Sequence, residues 1–377
     1  MEFRILDTNF TCISVVDNYI SAIWTERYNE AGDFEISLPF DENTNDVFKE
    51  DYYVTTDDSE YTMIIENIEM THKEDKGQCV TVTGRSLEQI LDRRIILEKT
   101  KFEIDVDTKT APSLQDSLLQ LLTDNVINPN ITARKISNFN YVKSSDEKIT
   151  SLTIEATYLG DDLYEVVSYQ CKENDIGFKI NIINDDDTGY VNFVFSLYAG
   201  TDRSFKQSIN PYVIFSPSND NFYDTNYLKS SISKNVAIII GEVTQEETDE
   251  LKEIRDTLYI AENTEIAGLT RKEVYVDGSS VSRSDITYDE YKARLKQLGI
   301  NSLIDNMEVE SLEGEIDSDI LYRYGVDFKM GDIVQLIDEY GHEKQARVTE
   351  LVRAKEESGT TFYPTFVILN EGEYEYE

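Results

Sequence analysis

The sequence predicts an α+β protein that is mainly β, with a small inserted α/β region and a helical insertion. Three observations lead to this fold class. Apolar and polar residues alternate over the first 84 residues, apolar residues then recur at helical spacing, and strand-like alternation returns towards the end of the chain. A chain of 377 residues that is 40% hydrophobic is long enough for about two to four domains.

The first β region covers residues 1–100. The segment "NYISAIWTERYNEAGDFEISLPF" predicts a strand, a turn at Asn29 to Asp33 and a second strand, with Phe34, Ile36 and Leu38 on one face. The segments "YTMIIENIEM" and "QCVTVTG" predict another hairpin across the charged turn "THKEDKG". Together they indicate a half-buried antiparallel sheet.

A short helix follows in "GRSLEQILDRRII", the most arginine-dense stretch of the chain. Ser86 and Gln89 form an S-x-x-Q pattern that is typical of a helix N-terminus, so the order strand, Gly84, helix is predicted. Four apolar residues at helical spacing are expected to pack on the chain's own sheet: Leu87, Ile90, Leu91 and Ile95.

An inserted α+β domain is predicted over residues 101–187. The segment "PSLQDSLLQLLTDNV" places its leucines on one stripe, with Pro112 just inside the predicted helix start. The segment "GDDLYEVVSYQC" predicts a second helix, which is followed by Gly177 and a strand.

A second β region is predicted over residues 188–243 and 305–377, and residues 244–304 form a charged helical insertion within it. Strands are predicted in "GYVNFVFSLYAG", "KNVAIIIGEV" and "TTFYPTFVIL", with a hairpin across Asp338 to Gly341. Helices are predicted in "TQEETDELKEIRDTLYIAE" and "TYDEYKARLKQLGI".

One hairpin pattern occurs in both β regions. The segments "IIENIEMTHKEDKGQCVTVTG" and "VTELVRAKEESGTTFYPTFVI" each predict a strand, a Lys/Glu turn that ends in Gly, and a second strand. This similarity indicates either a diverged internal duplication or a chance resemblance between two ordinary hairpins.

Residues suited to catalysis or metal binding are few. Both histidines, His72 and His342, lie in predicted turns, and the chain lacks the HExxH, GxxxxGK[ST] and GxGxxG patterns. With 74 acidic residues, any carboxylate pair chosen for glycoside cleavage is uninformative. Cys12, Cys79 and Cys171 are far apart and odd in number, so we interpret them as buried thiols. No catalytic residue, cofactor or metal site is predicted.

Two short segments allow alternatives. The run Asp185, Asp186 and Asp187 faintly resembles a calcium loop but lacks a glutamate at the twelfth position, which favours a hairpin turn. In "GTDRS", Asp202 and Arg203 follow a strand and predict either a buried ion pair at the strand end or a solvated turn.

The charge balance limits the classes of partner. Lys and Arg number 35 against 74 Asp and Glu, a net charge of −39, which disfavours binding to phosphate backbones and anionic lipid surfaces. The same charge suits a wall past which DNA slides without sticking. The N-terminus lacks a signal-peptide pattern and no apolar window is long enough to span a membrane, so we expect synthesis in a cytoplasm and no membrane insertion.

Taken in order, these segments resemble the baseplate-hub (tail-tip hub) proteins of phages and prophage-derived tails of Gram-positive bacteria, which include the N-terminal part of tail-associated lysins. The resemblance rests on Trp24 with "RYNEAGDFEISLP", then on "VTGRSLEQILDRRII", "YAGTDRSFKQSINPYVIFS", "KNVAIIIGE", "KQLGINSLIDNMEVESLEGEID" and "MGDIVQLIDEYGHEKQARVTEL" with "YPTF". No single segment is specific, but their order and spacing over nearly the whole chain are.

The resemblance implies a structural, non-enzymatic protein of a virion tail, made in the bacterial host cytoplasm. It implies a homotrimer in which each chain contributes two tail-tube-like antiparallel β-barrel modules, residues 1–100 and residues 188–243 with 305–377. Three chains would then present six similar faces to a sixfold tube and threefold symmetry to the tip. The implied neighbours are the distal tail protein, the tail tube and tape-measure proteins, and tip, spike or fibre proteins, with DNA passing through the lumen without specific binding.

A closed ring also gives the arginines a role. In a ring of three chains the same acidic surfaces face each other at three interfaces, and their repulsion weakens association unless positive charges neutralise it. We therefore expect Arg85, Arg93 and Arg94 to pair with carboxylates of a neighbouring module or subunit, or alternatively to cover their own sheet. Asp202 and Arg203 are further interface candidates.

Two other functions stay open, a tail-associated peptidoglycan hydrolase and a receptor-binding adhesin. Many hubs continue into a wall-cleaving or fibre domain, whereas this sequence stops at "EGEYEYE", so we expect no lytic activity in cis. An adhesin should show a long fibrous repeat or a sugar-binding aromatic cluster, and the sequence shows neither.

Overall fold

The computed structural model describes residues 1–41, 44–73, 77–105, 107–184, 191–230, 233–245, 253–261, 266–283, 287–304, 306, 310–316, 321–356 and 359–369. The chain divides into two compact units. The first unit comprises Met1–Thr225 and Glu313–Val367, and the second comprises the described residues of Asn226–Leu312 and Ile368–Glu377.

The described residues are mainly β, as predicted. Their strands are β1 (Phe3–Leu6), β2 (Cys12–Val16), β3 (Ser21–Arg27), β4 (Asp33–Pro39), β5 (Tyr53–Thr56), β6 (Met63–Lys73), β7 (Gly77–Ser86), β8 (Thr100–Phe102), β9 (Phe139–Val142), β10 (Ala156–Tyr158), β11 (Gly177–Asn184), β12 (Val191–Tyr198), β13 (Ile214–Phe215), β14 (Tyr223–Lys229), β15 (Val236–Gln245), β16 (Glu253–Ala261), β17 (Glu273–Asp277), β18 (Glu310–Glu315), β19 (Ile333–Ile337), β20 (Glu343–Glu356) and β21 (Gly359–Ile368).

Five α-helices lie among the described residues: α1 (Thr44–Val47), α2 (Leu114–Leu122), α3 (Glu147–Thr150), α4 (Leu163–Glu173) and α5 (Tyr288–Ile304). A π-helical turn, Thr123–Ile127, continues α2. Short 3₁₀ helices occur at Leu87–Arg93, Thr132–Arg134, Pro217–Asn219 and Gly268–Thr270.

One eleven-stranded sheet holds most strands of the first unit, in the order β13-β19-β20-β3-β4-β7-β6-β5-β1-β2, with β21 beside β20. The N-terminal and C-terminal parts of the chain meet where β3 pairs antiparallel with β20, with Arg27 opposite Glu350. The first part of β20 pairs with β19 instead, where Arg347 lies opposite Ile333. This sheet therefore joins strands that the sequence assigns to the two different β modules.

The sheet curls around its own core. Phe3 of β1 stacks on Trp24 of β3 with ring centroids 5.9 Å apart, although four strands separate β1 from β3 in the sheet. Phe34, Ile36 and Leu38 are buried in the same core, which confirms the predicted alternation of β4. Among the described strands no pairing closes the sheet, so the two-barrel arrangement stays a prediction.

The helix predicted after Gly84 is present as a 3₁₀ helix, Leu87–Arg93, but several details differ from the sequence interpretation. It is not an α-helix, and Ser86 does not cap it, because the Ser86 hydroxyl accepts a hydrogen bond from the Gly32 N–H at 2.8 Å. Its buried apolar side chains lie in a core that α2, α4 and β11 share with Ile64 of the first sheet. Ile95 is 49% exposed and Ile96 is buried instead, because a 3₁₀ helix turns in three residues and the backbone is extended from Arg94.

The inserted region contains both predicted helices. α2 and α4 share a core with the sheet β11-β12-β9, in which β9 runs parallel to β12. The N-cap of α2 is Ser113, whose side chain accepts a hydrogen bond from the Asp116 N–H, so Pro112 precedes the helix instead of lying inside it. Cys171 of α4 is buried as expected, whereas Cys12 is exposed on β2.

The second unit places β15 between an antiparallel β16 and a parallel β17. The predicted helix in "TYDEYKARLKQLGI" is confirmed as α5. The helix predicted over "TQEETDELKEIRDTLYIAE" is wrong at Glu253–Ala261, which forms β16, with Leu258 opposite Ile239. Ladder pairing with an apolar strand outweighs the helical charge pattern of this segment. The residues Asp185, Asp186 and Asp187 lie outside the described residues.

Candidate functional site

A buried ion pair lies where β3 meets β20. Because side chains on a strand alternate between faces, Ala22, Trp24 and Glu26 share the core-facing side of β3. This face therefore begins as apolar core and ends in a carboxylate. Glu26 pairs with Arg353 of β20, and the two residues are 1% and 3% exposed.

Neutral donors complete the coordination of the Glu26 carboxylate. It accepts hydrogen bonds from the Ser59 hydroxyl at 2.5 Å and from the Tyr324 hydroxyl at 2.8 Å. The Arg353 guanidinium lies 5.3 Å from the centroid of the Tyr324 ring. Burial and the charge of Glu26 hold the pKa of Tyr324 well above its usual value, so this hydroxyl stays a donor.

A second buried arginine, Arg347, lies on the same strand. It pairs with Asp175, which follows α4, donates to the Gly331 carbonyl at 2.6 Å and lies 5.4 Å from the Tyr28 ring centroid. Lys148 also reaches Asp175, donating to its carbonyl at 2.9 Å, and burial lowers the pKa of this lysine. Arg347 therefore ties the C-terminal strand to the inserted region.

A third pair resolves the alternative left open for "GTDRS". Arg203 Nε donates to Asp332 Oδ2 at 2.7 Å, and Asp332 is 3% exposed, so a buried ion pair does form at the strand end. The partner is Asp332 and not Asp202. Asp202 instead accepts from the Ser204 N–H at 2.8 Å, while Asp332 also accepts from the Thr201 N–H at 2.7 Å.

Three tyrosines lie between these pairs. The hydroxyls of Tyr61 and Tyr198 are 3.2 Å apart, and the rings of Tyr198 and Tyr28 pack edge to face at 5.4 Å. Burial raises the pKa of Tyr28 to about 12 and raises the pKa of both other tyrosines well above the usual value. All three therefore remain neutral hydrogen-bonding groups at physiological pH.

A cleft of about 460 Å³ opens beside these residues within the first unit. Its lining combines tyrosines and Met330 with charged side chains, and acids including Asp58 and Glu60 contribute to it. Lys179 donates to Glu60 at 2.8 Å. We call the three arginine–carboxylate pairs the junction cluster, which comprises Glu26, Arg353, Asp175, Arg347, Asp332 and Arg203; of these, Glu26, Arg353 and Asp332 line the cleft.

The junction cluster can hold elements together but offers no reactive group. Each of its carboxylates already pairs with a guanidinium, so none is a free base for catalysis. Gly331 makes close packing possible: its φ is +86°, and a Cβ atom there would lie 2.2 Å from the Tyr28 ring. The arrangement is that of a rigid joint between the sheet, the inserted region and the C-terminal strands.

The three predicted interface arginines have partners within the chain. Arg85 binds Glu66 through two hydrogen bonds of 2.8 and 2.9 Å, and Arg93 binds Asp51 at 2.8 Å. Arg94 donates to the backbone carbonyl of Arg134 at 2.8 Å. Arg85 and Arg93 thus cover their own sheet and Arg94 contacts the inserted region, while pairing with a neighbouring subunit stays a prediction.

Glu88 is a buried acid that the sequence interpretation missed. One carboxylate oxygen accepts from the Ile180 N–H at 2.7 Å, and the other has no hydrogen-bond partner among the described residues. Burial raises the pKa of Glu88. Its ionisation therefore opposes folding.

The two histidines lie in different kinds of secondary structure. His342 lies in the turn before β20, as predicted, with its Nδ1 2.6 Å from the Asp338 carboxylate. His72 lies in β6 and not in a turn. No group of three or more metal-ligating side chains occurs among the described residues, and none of their helices is long and apolar enough to cross a membrane.

Part of the junction cluster could be predicted from the sequence. A charged residue at a core-facing position of an alternating strand needs a buried partner, and both Glu26 in "SAIWTER" and Arg353 in "TELVRAK" satisfy that description. Pairing the two requires the sheet order, because 327 positions separate them along the chain.

The fold is shared with prophage tail proteins. The 43 kDa tail protein of prophage MuSo2 from Shewanella oneidensis superposes with a TM-score of 0.56 at 10% identity, covering 97% of this chain and 98% of that one. A tail protein from Neisseria meningitidis MC58 superposes with a TM-score of 0.54 at 11% identity, covering 99% and 97%. No curated protein sequence matches the chain.

The family model confirms what the sequence segments resemble. The model of the siphovirus ReqiPepy6 Gp37-like proteins matches residues 2–366, which is nearly the whole chain. The family is named after a siphovirus protein, and the two proteins that share the fold are prophage or bacterial tail proteins. The chain belongs to the siphovirus ReqiPepy6 Gp37-like protein family.

Proposed function

We propose that this phage tail protein is a baseplate or tail-tip hub that forms a homotrimeric, pseudo-sixfold ring. The ring joins the tail tube to the tip and surrounds the DNA channel. Each chain supplies two similar β modules, so that three chains offer six similar faces.

The observation that carries the proposal is the union of both β regions in one sheet. The two hairpins that echo each other in sequence, β6–β7 and β20–β21, are both long hairpins of this sheet. The junction cluster braces the sheet where β3 and β20 meet. A rigid double module is what a ring needs if two halves of one chain are to occupy equivalent positions.

The net charge of −39 supports a role beside DNA that involves no binding. An acidic lumen displaces no condensed counterions from the duplex, so it gains no binding free energy from DNA and does not hold it. The partners in this proposal are the distal tail protein, the tail tube and tape-measure proteins, and tip, spike or fibre proteins. The site of action is the virion tail.

The proposed role is structural and not enzymatic. The buried carboxylates of the first unit act as partners in ion pairs or as acceptors for backbone N–H groups, as Glu26, Asp332 and Glu88 illustrate. Zymography on bacterial cell walls would detect a hydrolase. Clearing by the purified chain would contradict this part of the proposal.

The oligomeric state tests the ring. Native mass spectrometry of the purified full chain should show three copies of the 43.4 kDa polypeptide. A chain that stays monomeric at every concentration would contradict the proposal.

Charge reversal tests the predicted interface. Replacement of both Arg93 and Arg94 by glutamate should dissociate the trimer if the arginines pair with a neighbouring subunit, because two cations become anions on an acidic surface. A trimer that survives the double change would rule out the intersubunit pairing.

A further inference from the structure

The large sheet of the first unit has three free edges among the described strands, at β13, β21 and β2. An edge strand exposes unpaired N–H and C=O groups and will pair with another extended segment unless its structure prevents it. The three edges differ in this respect.

The β13 edge is blocked by a buried asparagine. The Val213 carbonyl accepts from the Gln335 N–H on the β19 side, so the Ile214 carbonyl faces the free edge. The Asn221 side chain donates to this carbonyl at 3.0 Å and accepts from the Ser216 N–H at 3.0 Å. Its amide group thus takes the place of a neighbouring strand.

The β21 edge is interrupted by proline. Pro364 lies in the middle of the strand and has no N–H to donate. Proline within a strand is confined to edges because it cannot continue a hydrogen-bond ladder. This edge is therefore closed to a continuous new strand.

The β2 edge lacks both devices. Its sequence, "CISVV", contains no charged residue and no proline, and Ile13 and Val15 are 44% and 50% exposed. A bulge at Ile13 limits the regular ladder with β1 to Ser14–Val16. Exposed β-branched residues on an edge without charge or proline are the pattern of a strand that is covered in its functional state.

We propose that the β2 edge binds an extended segment of a different tail polypeptide by strand addition. The segment is apolar at alternate positions and is flanked by Lys or Arg, because Asp7 and Asp17 lie near the two ends of β2. A second copy of this chain is a less suitable partner for the β2 edge. The exclusion of this partner is the one step that rests on the proposed ring. The other edges of the same sheet are blocked, and β2 pairing with β2 gives a twofold contact that cannot close a threefold ring.

A peptide of defined sequence tests the edge directly. The probe is fluorescently labelled acetyl-Lys-Thr-Val-Thr-Val-Thr-Lys-amide, and its control is the same peptide with every amide between the lysines N-methylated. Binding to the full chain is followed by anisotropy, and amide hydrogen exchange is measured with and without peptide. We expect slower exchange within residues 12–17 and binding at least tenfold tighter than that of the N-methylated control.

Matched variants locate the site. Val15→Lys should weaken binding of the probe at least tenfold, because a lysine on an edge strand opposes strand addition and repels the basic probe. Val142→Lys, at an equally exposed valine of β9, should leave binding unchanged. Equal binding of the N-methylated peptide, or unchanged binding by the Val15→Lys variant, would overturn the proposal.

Self-association is a separate outcome. A concentration-dependent dimer that Val15→Lys abolishes would show β2 pairing with β2 and would also overturn the proposal. Peptide binding by a monomeric chain would support the strand-addition site while contradicting the ring, so the two proposals can fail independently.

Discussion

Replacement of Arg353 by methionine should be among the most destabilising single changes in the first unit. The substitution leaves the Glu26 carboxylate, which is 1% exposed, without its cation. Hydrogen bonds from Ser59 and Tyr324 remain, but neither donor carries charge. Removing one partner of a buried ion pair costs about 3–5 kcal/mol, a large part of the roughly 5–15 kcal/mol that stabilises a typical domain.

The double variant Glu26→Gln with Arg353→Met separates the cost of burying a lone charge from the value of the pair. With both charges gone, the glutamine oxygen can still accept from one of the Ser59 and Tyr324 hydroxyls, its NH₂ group can donate to the other, and methionine fills much of the arginine volume. We expect the double variant to lie within about 1–2 kcal/mol of the wild type. Each single variant should be less stable than the double.

Urea denaturation followed by tryptophan fluorescence measures these differences. Trp24 is the single tryptophan of the chain, is fully buried, and donates to Ser59 at 3.1 Å, so it reports on the junction itself. Arg93→Met provides the control, because it breaks an exposed ion pair and should cost less than about 1 kcal/mol. An Arg353→Met variant as stable as that control would refute the reasoning.

Three further changes test other parts of the structure. Gly331→Ala should lower the free energy of unfolding by about 2–4 kcal/mol, because it combines a left-handed φ with a clash against Tyr28. Asn221→Ala should cost about 1–3 kcal/mol in urea denaturation, because it leaves the Ser216 N–H unpaired and leaves the Ile214 carbonyl with only the longer bond from Asn219. Glu88→Gln keeps an acceptor for the Ile180 N–H and removes an acid whose pKa burial has raised. The pKa of Glu88 is higher in the folded than in the unfolded protein, so the wild type loses stability as pH rises from the lower of these pKa values through the higher one. Over that pH range the free energy of unfolding of the variant should rise relative to that of the wild type. The gain is about 1.4 kcal/mol for each tenfold difference in proton affinity between the folded and unfolded states.

Each of these three has a control or a contrary outcome. Gly325 has a similar φ of +84° but open space around it, so Gly325→Ala should cost only the conformational part, about 1–2 kcal/mol. A stability difference between Glu88→Gln and wild type that stays constant with pH would contradict the role assigned to Glu88. An Asn221→Ala variant as stable as wild type would show that the backbone groups bound by Asn221 find other hydrogen-bond partners.

Local sequence patterns predicted the strands and most helices, because burial of one face makes apolar residues recur along the sequence with the period of that element. The alternation of Phe34, Ile36 and Leu38 is an example, since all three face one core. The same reasoning failed where a tertiary partner decided the outcome. Glu253–Ala261 has a helical charge pattern, yet it pairs with β15, and Ser86 binds Gly32 instead of capping a helix.

The junction cluster could be predicted only in part. The core-facing positions of Glu26 and Arg353 indicate buried charges, and "GTDRS" indicated an ion pair at the end of a strand. The partners Asp332 and Asp175 lie far from their arginines in sequence, so only the sheet order and the position of α4 bring them together. The sequence therefore indicates which residues require partners, and the three-dimensional fold determines which partners they find.

Electron microscopy of the purified full chain tests the central claim most directly. The account predicts projections of a ring with threefold symmetry, six similar lobes and a central opening wide enough for DNA. Particles with a single β lobe per protomer, or an assembly without a central opening, would contradict it.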